Sequence, residues 1–299
     1  METANTNYPA PVDTLLTAGS PRLENVDDWP DHLKSGIGQE HIPDLIRMAK
    51  DKSLRYKYID EETYPDFNKD EHPEYWAPIH AVHTLGVLHA ASASEALLPL
   101  FDEAIKFGDE WMSEDLPEAY GMFGPEAIPA LTTYIAESGH DYYATGYAIE
   151  ALQGIAAKHP DTETREKVSA FLTQQLEHFE ENSEEVNASL IVGLMKLQAV
   201  EAAPLIERAF AANKVDTLYI GDWDDVQVQL GLQTTQQLDD KRRAEWAEEV
   251  ARREKESAGS AGFSSRPYST PTHPNKQTAK KKTKEKMAKA SRKKNKRKK

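Results

Sequence analysis

The sequence predicts an all-α solenoid. Four segments repeat one pattern of an apolar or Ala residue, Pro, then apolar positions at helical spacing: HIPDLIRMA, LLPLFDEAI, AIPALTTYI and AAPLIERAF, starting at His41, Leu97, Ala127 and Ala202. A unit recurring every ~20–50 residues signals helical pairs that bury their apolar faces only by stacking on neighbours. Two further registers run in phase through the chain. Leu85, Tyr120, Leu152 and Leu194 form one, and Leu88, Phe123, Ile155 and Leu197 the other, with separations of 35, 32 and 42 residues in both.

Residues 1–37 scatter Pro, Gly and Asp without a sustained period and read as an irregular N-terminal cover, with a short helix near Val12 to Leu16. The repeat region spans 38–235. It opens with Ile42, Leu45, Ile46 and Ala49 at i, i+3, i+4, i+7, one face of a helix ending near Lys50. Residues 53–75 are rich in Asp, Glu, Tyr and Pro and predict a long acidic surface loop over one end of the stack.

Helical hairpins follow. The first joins a helix from Trp76 to His89 to one that Ser94 caps, carrying Leu97, Leu98, Phe101 and Ile105. The second pairs Asp109–Phe123 with Pro125–Glu137 around Gly124, where the reversal needs a permissive backbone. A third spans Tyr142–Lys158 and Thr162–Phe179, and a fourth Ser183–Gln198 and Val200–Asn213. Pro43, Pro99, Pro129 and Pro204 fall in first turns of second helices, where a missing amide does least harm. Ala81, Gly86, Gly121, Ala148 and Gly193 flank the two registers, as close helix packing requires.

Residues 236–257 form a charged helix with acid-to-base pairs at i, i+4 (Asp239 with Arg243, Glu248 with Arg252, Glu249 with Arg253) and a narrow stripe of Trp246 and Val250. Residues 258–275 are Gly, Ser, Thr and Pro rich and read as a flexible linker. Residues 276–299 hold fourteen Lys or Arg against Glu285 alone, a basic tail that cannot build a core and reads as disordered. The formal charge of -14 therefore hides an acidic body of about -27 over residues 1–275 and a tail of about +13.

Segments GPEAIPALTTYI and AVEAAPLIERAF resemble the HEAT-repeat family, in particular the bacterial phycobilisome-lyase HEAT-like repeat class, over roughly Gln39 to Asn213. The tail KMAKASRKKNKRKK is similar to those of uncharacterised bacterial HEAT-repeat proteins. This resemblance implies a scaffold or adaptor fold, and for certain subfamilies a bilin lyase subunit.

Composition narrows the chemistry. Mean hydropathy is -0.69, and no apolar run reaches membrane-spanning or signal-peptide length, so the expectation is a cytoplasmic chain without membrane insertion. The absence of cysteine removes disulfides, thiolate nucleophiles and Cys-ligated metals together. His80 and His83, three apart on a helix, admit a metal with His72 or Glu74. The spacing lacks a third-ligand motif, and contact with solvent or neighbouring helices is the simpler reading, so neither a metal nor a cofactor is assigned. Asp222, Asp224 and Asp225 around Trp223 suggest a carboxylate site, but the Ca-loop pattern is absent. A helix cap at Asp222 with Trp223 as a lid explains them.

The tail offers a phosphate-binding segment in Lys280, Lys281, Lys282, Lys284, Arg292, Lys293, Lys294, Lys296, Arg297, Lys298 and Lys299. No aromatic interleaves them, so contact with RNA would be salt-dependent and weakly selective. The functional expectation is a non-enzymatic adaptor that binds a protein, favouring a basic one, on its solenoid and RNA or a nucleoprotein through its tail. A lyase-like chromophore-attachment subunit and an assembly chaperone for basic proteins are the alternatives.

Overall fold

The computed structural model describes residues 7–21, 29–59 and 68–259. The helices are α1 (Ile42–Ala49), α2 (Lys52–Arg55), α3 (Ala77–Val87), α4 (Ser94–Leu97), α5 (Pro99–Phe107), α6 (Glu110–Phe123), α7 (Ile128–Ala136), α8 (Tyr142–Lys158), α9 (Thr162–Leu176), α10 (Glu184–Lys196), α11 (Ala203–Ala211), α12 (Thr217–Ile220), α13 (Trp223–Gln229) and α14 (Thr235–Gly259). No strand occurs among the described residues.

The described residues up to Leu238 form one compact unit. Within it α3, α6, α8 and α10 each pack on the next, and α4, α7, α9 and α11 form a second row doing the same. This is an α-solenoid, and both sequence registers run through its core. Leu85, Tyr120, Leu152, Leu194 and Ile155 are fully buried, and Leu88, Phe123 and Leu197 nearly so. The first row crosses closely because small residues stand at the contacts. A Cβ on Gly86 would lie 3.1 Å from Ala119 Cα, and one on Gly121 would lie 3.3 Å from the Gly154 backbone.

The helices begin in two ways. Helices α6, α8, α9, α10 and α13 take Asp109, Asp141, Asp161, Ser183 and Asp222 as N-caps, each accepting a first-turn backbone N–H. Helices α1, α7 and α11 instead follow a 3-10 turn and carry Pro43, Pro129 and Pro204 in their first turn, as Pro99 does in α5. Ser94 does not act as a cap. It lies inside the helical turn, and its hydroxyl donates back to the Ala91 carbonyl at 2.7 Å, because a 3-10 turn at Ala91–Ala93 has already started the helix.

The hairpin turns also repeat. His89, Gly124 and Gln198 each follow the second register position and adopt positive φ, at 51°, 88° and 52°. Two of these residues reach the carbonyl-exposing end of a later helix. His89 Nδ1 bonds the Met122 carbonyl at 2.6 Å and Gln198 Nε2 donates to the Gln229 carbonyl at 2.9 Å. Gln39 does the same for Leu88 (2.7 Å), and Arg165 for Leu197 (2.9 and 2.7 Å). The last carbonyls of a helix have no intrahelical partner, and these side chains from neighbouring units supply one.

The N-terminal cover contains the expected short helix, a 3-10 segment at Val12–Thr17 that buries Val12 and Leu15. The 53–75 stretch departs from expectation. Its described parts carry α2 and 3-10 turns at Tyr56–Ile59, Lys69–Glu71 and Pro73–Trp76, and they bury Leu54, Arg55 and Trp76 in the molecule. Acidic and aromatic composition hid this, because the burying force there is an ion pair and ring packing rather than an aliphatic stripe. Arg55 is 2 % exposed, bonds both oxygens of Asp109 (Nη2 to Oδ1 at 2.6 Å), and stacks over Tyr75 at 4.2 Å.

Helix α14 lies mostly in a second unit beginning at Asp239. There Glu249 meets Arg253 as expected, at 2.6 Å, but also takes Arg252 (2.5 Å), which the i, i+4 rule had assigned to Glu248. Arg243 pairs with Asp240 at 3.1 Å and reaches only the backbone of Asp239. Both corrections replace an i, i+4 pair by i, i+3, which is equally adjacent on a helix. Trp246 is 62 % exposed. Helix α14 takes in Ala258 and Gly259, the first two residues of the expected linker, and the rest of the linker and the Lys-rich tail lie outside the described residues.

Candidate functional site

The first-row helices present a groove. One cavity of about 620 Å3 is lined by Glu114, Glu118, Tyr147, Glu150, Arg165 and Lys196, among others, from α6, α8, α9 and α10. A second of about 520 Å3 lies between the Trp29–Leu33 segment, α3 and α6, with Trp29, His83, Trp111, Asp115 and Met122 on its walls. Glu114 and Glu118 line both, so the cavities adjoin along α6. Helical spacing creates this face: Trp111, Asp115, Glu118 and Met122 stand at i, i+4, i+7 and i+11.

The lining is acidic and aromatic. Glu114, Glu118 and Glu150 face Tyr147, whose phenol is raised by burial and then by Glu150, Glu114 and Glu110. Partial burial and the Glu150 carboxylate likewise raise Tyr219, half-exposed on α12. The cations present are already engaged in part. Lys158 Nζ sits 3.0 Å from Glu118, and Arg165 is turned onto the Leu197 carbonyl.

Asp115 differs from the other carboxylates. Its Oδ2 is sealed from solvent and accepts no hydrogen bond from any described residue. Burial, then the neighbouring Glu118 charge, pushes its carboxyl up to about 8.

His80 and His83 belong to the wall and support of this region rather than to a metal. His80 Nε2 lies 2.8 Å from the Gly19 carbonyl and must donate to it, which leaves Nδ1 to accept from His32 Nε2 at 3.0 Å. Both nitrogens of His80 are thereby used. His83 stacks on Trp29 with ring centroids 3.9 Å apart. Burial, the dominant cause in each, lowers His80 and His83 to about 4 and lowers His32, so the trio is neutral at pH 7. His72 and Glu74 pair with each other at 3.3 Å, and Tyr58 donates to Glu74 at 2.6 Å. No group of three or more His, Asp or Glu suited to a metal occurs among the described residues.

Asp222 caps α13 by accepting from Asp225 N at 3.0 Å, and Asp225 Oδ2 accepts in return from Asp222 N at 3.3 Å. Asp224 accepts from Gln227 at 3.2 Å, and Trp223 packs toward Phe210. The basic positions from Lys280 to Lys299 lie outside the described residues. Sequence reading passed over Trp29, Trp111, Asp115, Glu118 and Tyr147. For Trp111, Asp115 and Glu118 the only signal is the polar-aromatic stripe on α6, which single-sequence reasoning treats as a solvated face, and Trp29 and Tyr147 carry none.

Fold and groove together define an all-α solenoid with an acidic, aromatic-lined first-row face. Residues 41–252 match the model of a family described as "Protein of unknown function (DUF1186)", and the chain belongs to that family. No curated protein and no solved structure gives a match. No helix among the described residues is long and apolar enough to cross a membrane.

Proposed function

We propose that this chain is a non-enzymatic binding scaffold whose groove across α6, α8 and α10 takes a basic segment of a partner protein, while residues 276–299 contact RNA or a nucleoprotein assembly. The observation that carries the reading is the convergence of Glu114, Glu118 and Glu150 with Tyr147 along one groove, where three carboxylates outnumber Arg165 and Lys196 and Arg165 is turned onto the Leu197 carbonyl. Electrostatic complementarity of this kind accelerates encounter and selects partner sign. The body's surplus of negative charge acts in the same sense, and the tail's fourteen Lys or Arg suit a phosphate backbone.

The test is affinity capture with the full chain, a 1–275 truncation and a Glu114→Gln/Glu118→Gln/Glu150→Gln variant, each with and without ribonuclease. We expect a basic protein on the full chain and the truncation alike, resistant to ribonuclease and lost from the triple variant, with RNA retained by the full chain alone. A protein partner that the triple variant retains in full refutes the groove, and RNA retained equally by the truncation refutes the tail.

A further inference from the structure

Asp115 is the one carboxyl of the second cavity whose Oδ2 is both sealed and unpartnered among the described residues. Leaving a buried acceptor without a donor costs about 1–3 kcal/mol. Six residues earlier, the same helix satisfies Asp109 from Arg55 and the Met112 amide. An acid that the fold leaves unanswered is set for a donor from outside.

The surroundings specify the donor's chemistry. Two half-buried indoles, Trp29 and Trp111, line the cavity with Asp115. Trp29 is held flat against His83 and Trp111 stands edge-on to Trp76 at 5.1 Å, so both rings are fixed before any ligand arrives. A carboxyl beside aromatic faces, with a further carboxylate at Glu118, suits a cation that is planar, weakly hydrated and able to donate two parallel N–H groups. The neutral His83 adds no opposing charge at pH 7. The resident cation, Lys158, is held by Glu118 one turn beyond Asp115. A divalent metal is poorly served, since no three-ligand group exists among the described residues.

We propose that the cavity bounded by Trp29, Trp111, Asp115 and Glu118 is a socket for a single arginine side chain of the partner protein, anchoring the basic segment that runs along the groove. This rests on the groove reading, because Glu114 and Glu118 are shared with the larger cavity and a chain lying there passes the socket. A guanidinium entering it favours the ionised carboxyl, so Asp115 gives up its proton to solvent and turns Oδ2 out of its sealed position to accept the second N–H, and arginine is favoured over lysine because ammonium is harder to desolvate and cannot bind bidentately.

The experiment uses the full chain with its tryptophan indoles labelled with 15N. It is titrated at fixed salt with a Gly/Ser peptide carrying spaced arginines, and with the same peptide carrying lysine or citrulline. We expect the arginine peptide to bind about tenfold more tightly than the lysine one, to shift the Trp29 and Trp111 indole resonances, and to lose about tenfold on Asp115→Asn. Citrulline, isosteric but uncharged, should not compete. The comparison among peptides needs no variant, and thermal melting of Asp115→Asn confirms that it folds. Equal binding of arginine and lysine peptides, or undiminished arginine binding by Asp115→Asn, overturns the socket while leaving the groove in place. Failure of every basic peptide to bind overturns the groove and the socket together.

Discussion

Asp109 and Asp115 stand six residues apart around one helix, and the molecule treats them in opposite ways. At the start of α6, Asp109 takes two donors from Arg55 and a third from its own first turn, with Arg55 further tied to the Tyr75 carbonyl at 3.2 Å. In the groove, Asp115 takes none from any described residue. The first acid locks the 53–75 stretch to the solenoid, whereas the second is a buried carboxyl beside the groove that keeps its proton for want of a donor. Satisfied burial marks structure here, and unsatisfied burial marks a site.

The contrast is broken most strongly at its structural end. Asp109→Ala leaves a buried guanidinium without its counter-ion and should cost about 3–5 kcal/mol in urea denaturation. A loss under 1 kcal/mol would mean that the pair contributes no more than an exposed one.

The next effect lies in the His32–His80 chain that fastens the N-terminal segment to α3. The folded value of His80 is about 4, below the unfolded 6.5, so the unfolded chain binds the extra proton between those limits. Stability is therefore fully present above pH 6.5 and falls as pH drops toward 4, by roughly 3 kcal/mol from His80 alone. Urea midpoints followed from pH 7 to pH 4.5 should show a descent that is shallower in His80→Gln.

Asp115 should behave in the opposite sense. Its folded value, about 8, lies above the unfolded carboxyl, so its proton stabilises the native state at low pH and that contribution is lost as pH rises through 8. Asp115→Asn should consequently raise stability, by about 1–3 kcal/mol at pH 8 and by less at pH 5. A lower Tm at pH 8 would show that Asp115 has a structural partner after all and would remove the contrast with Asp109.

The smallest effect concerns the side chains that close helix ends. Arg165→Met removes the donors to Leu197 and should cost roughly 1 kcal/mol. No change in the denaturation midpoint would mean that water replaces the guanidinium at no loss.

Much of the fold was readable because helical burial writes a local period. Leu85, Tyr120, Leu152 and Leu194 needed only phase to be placed in the core, and Pro43, Pro129 and Pro204 needed only the rule that a first turn tolerates a missing amide. The site was scarcely readable. Glu114, Asp115 and Glu118 look like an ordinary wet helix face until Trp29, more than eighty residues earlier, is laid across α3 beside them.

By itself, the sequence determined the all-α class, the hairpin order, the buried registers and the separation of an acidic body from a basic tail. These follow from composition and from spacing within a few turns, where 3.6-residue periodicity is the dominant constraint. Only the tertiary structure decided which polar groups are paired: Arg55 with Asp109, His80 with His32 and Gly19, His89 with the Met122 carbonyl, and Asp115 with none of the described residues. Such pairings join residues more than thirty positions apart. They depend on how far each helix is rotated and shifted against its neighbour, which packing between helices sets and local sequence does not.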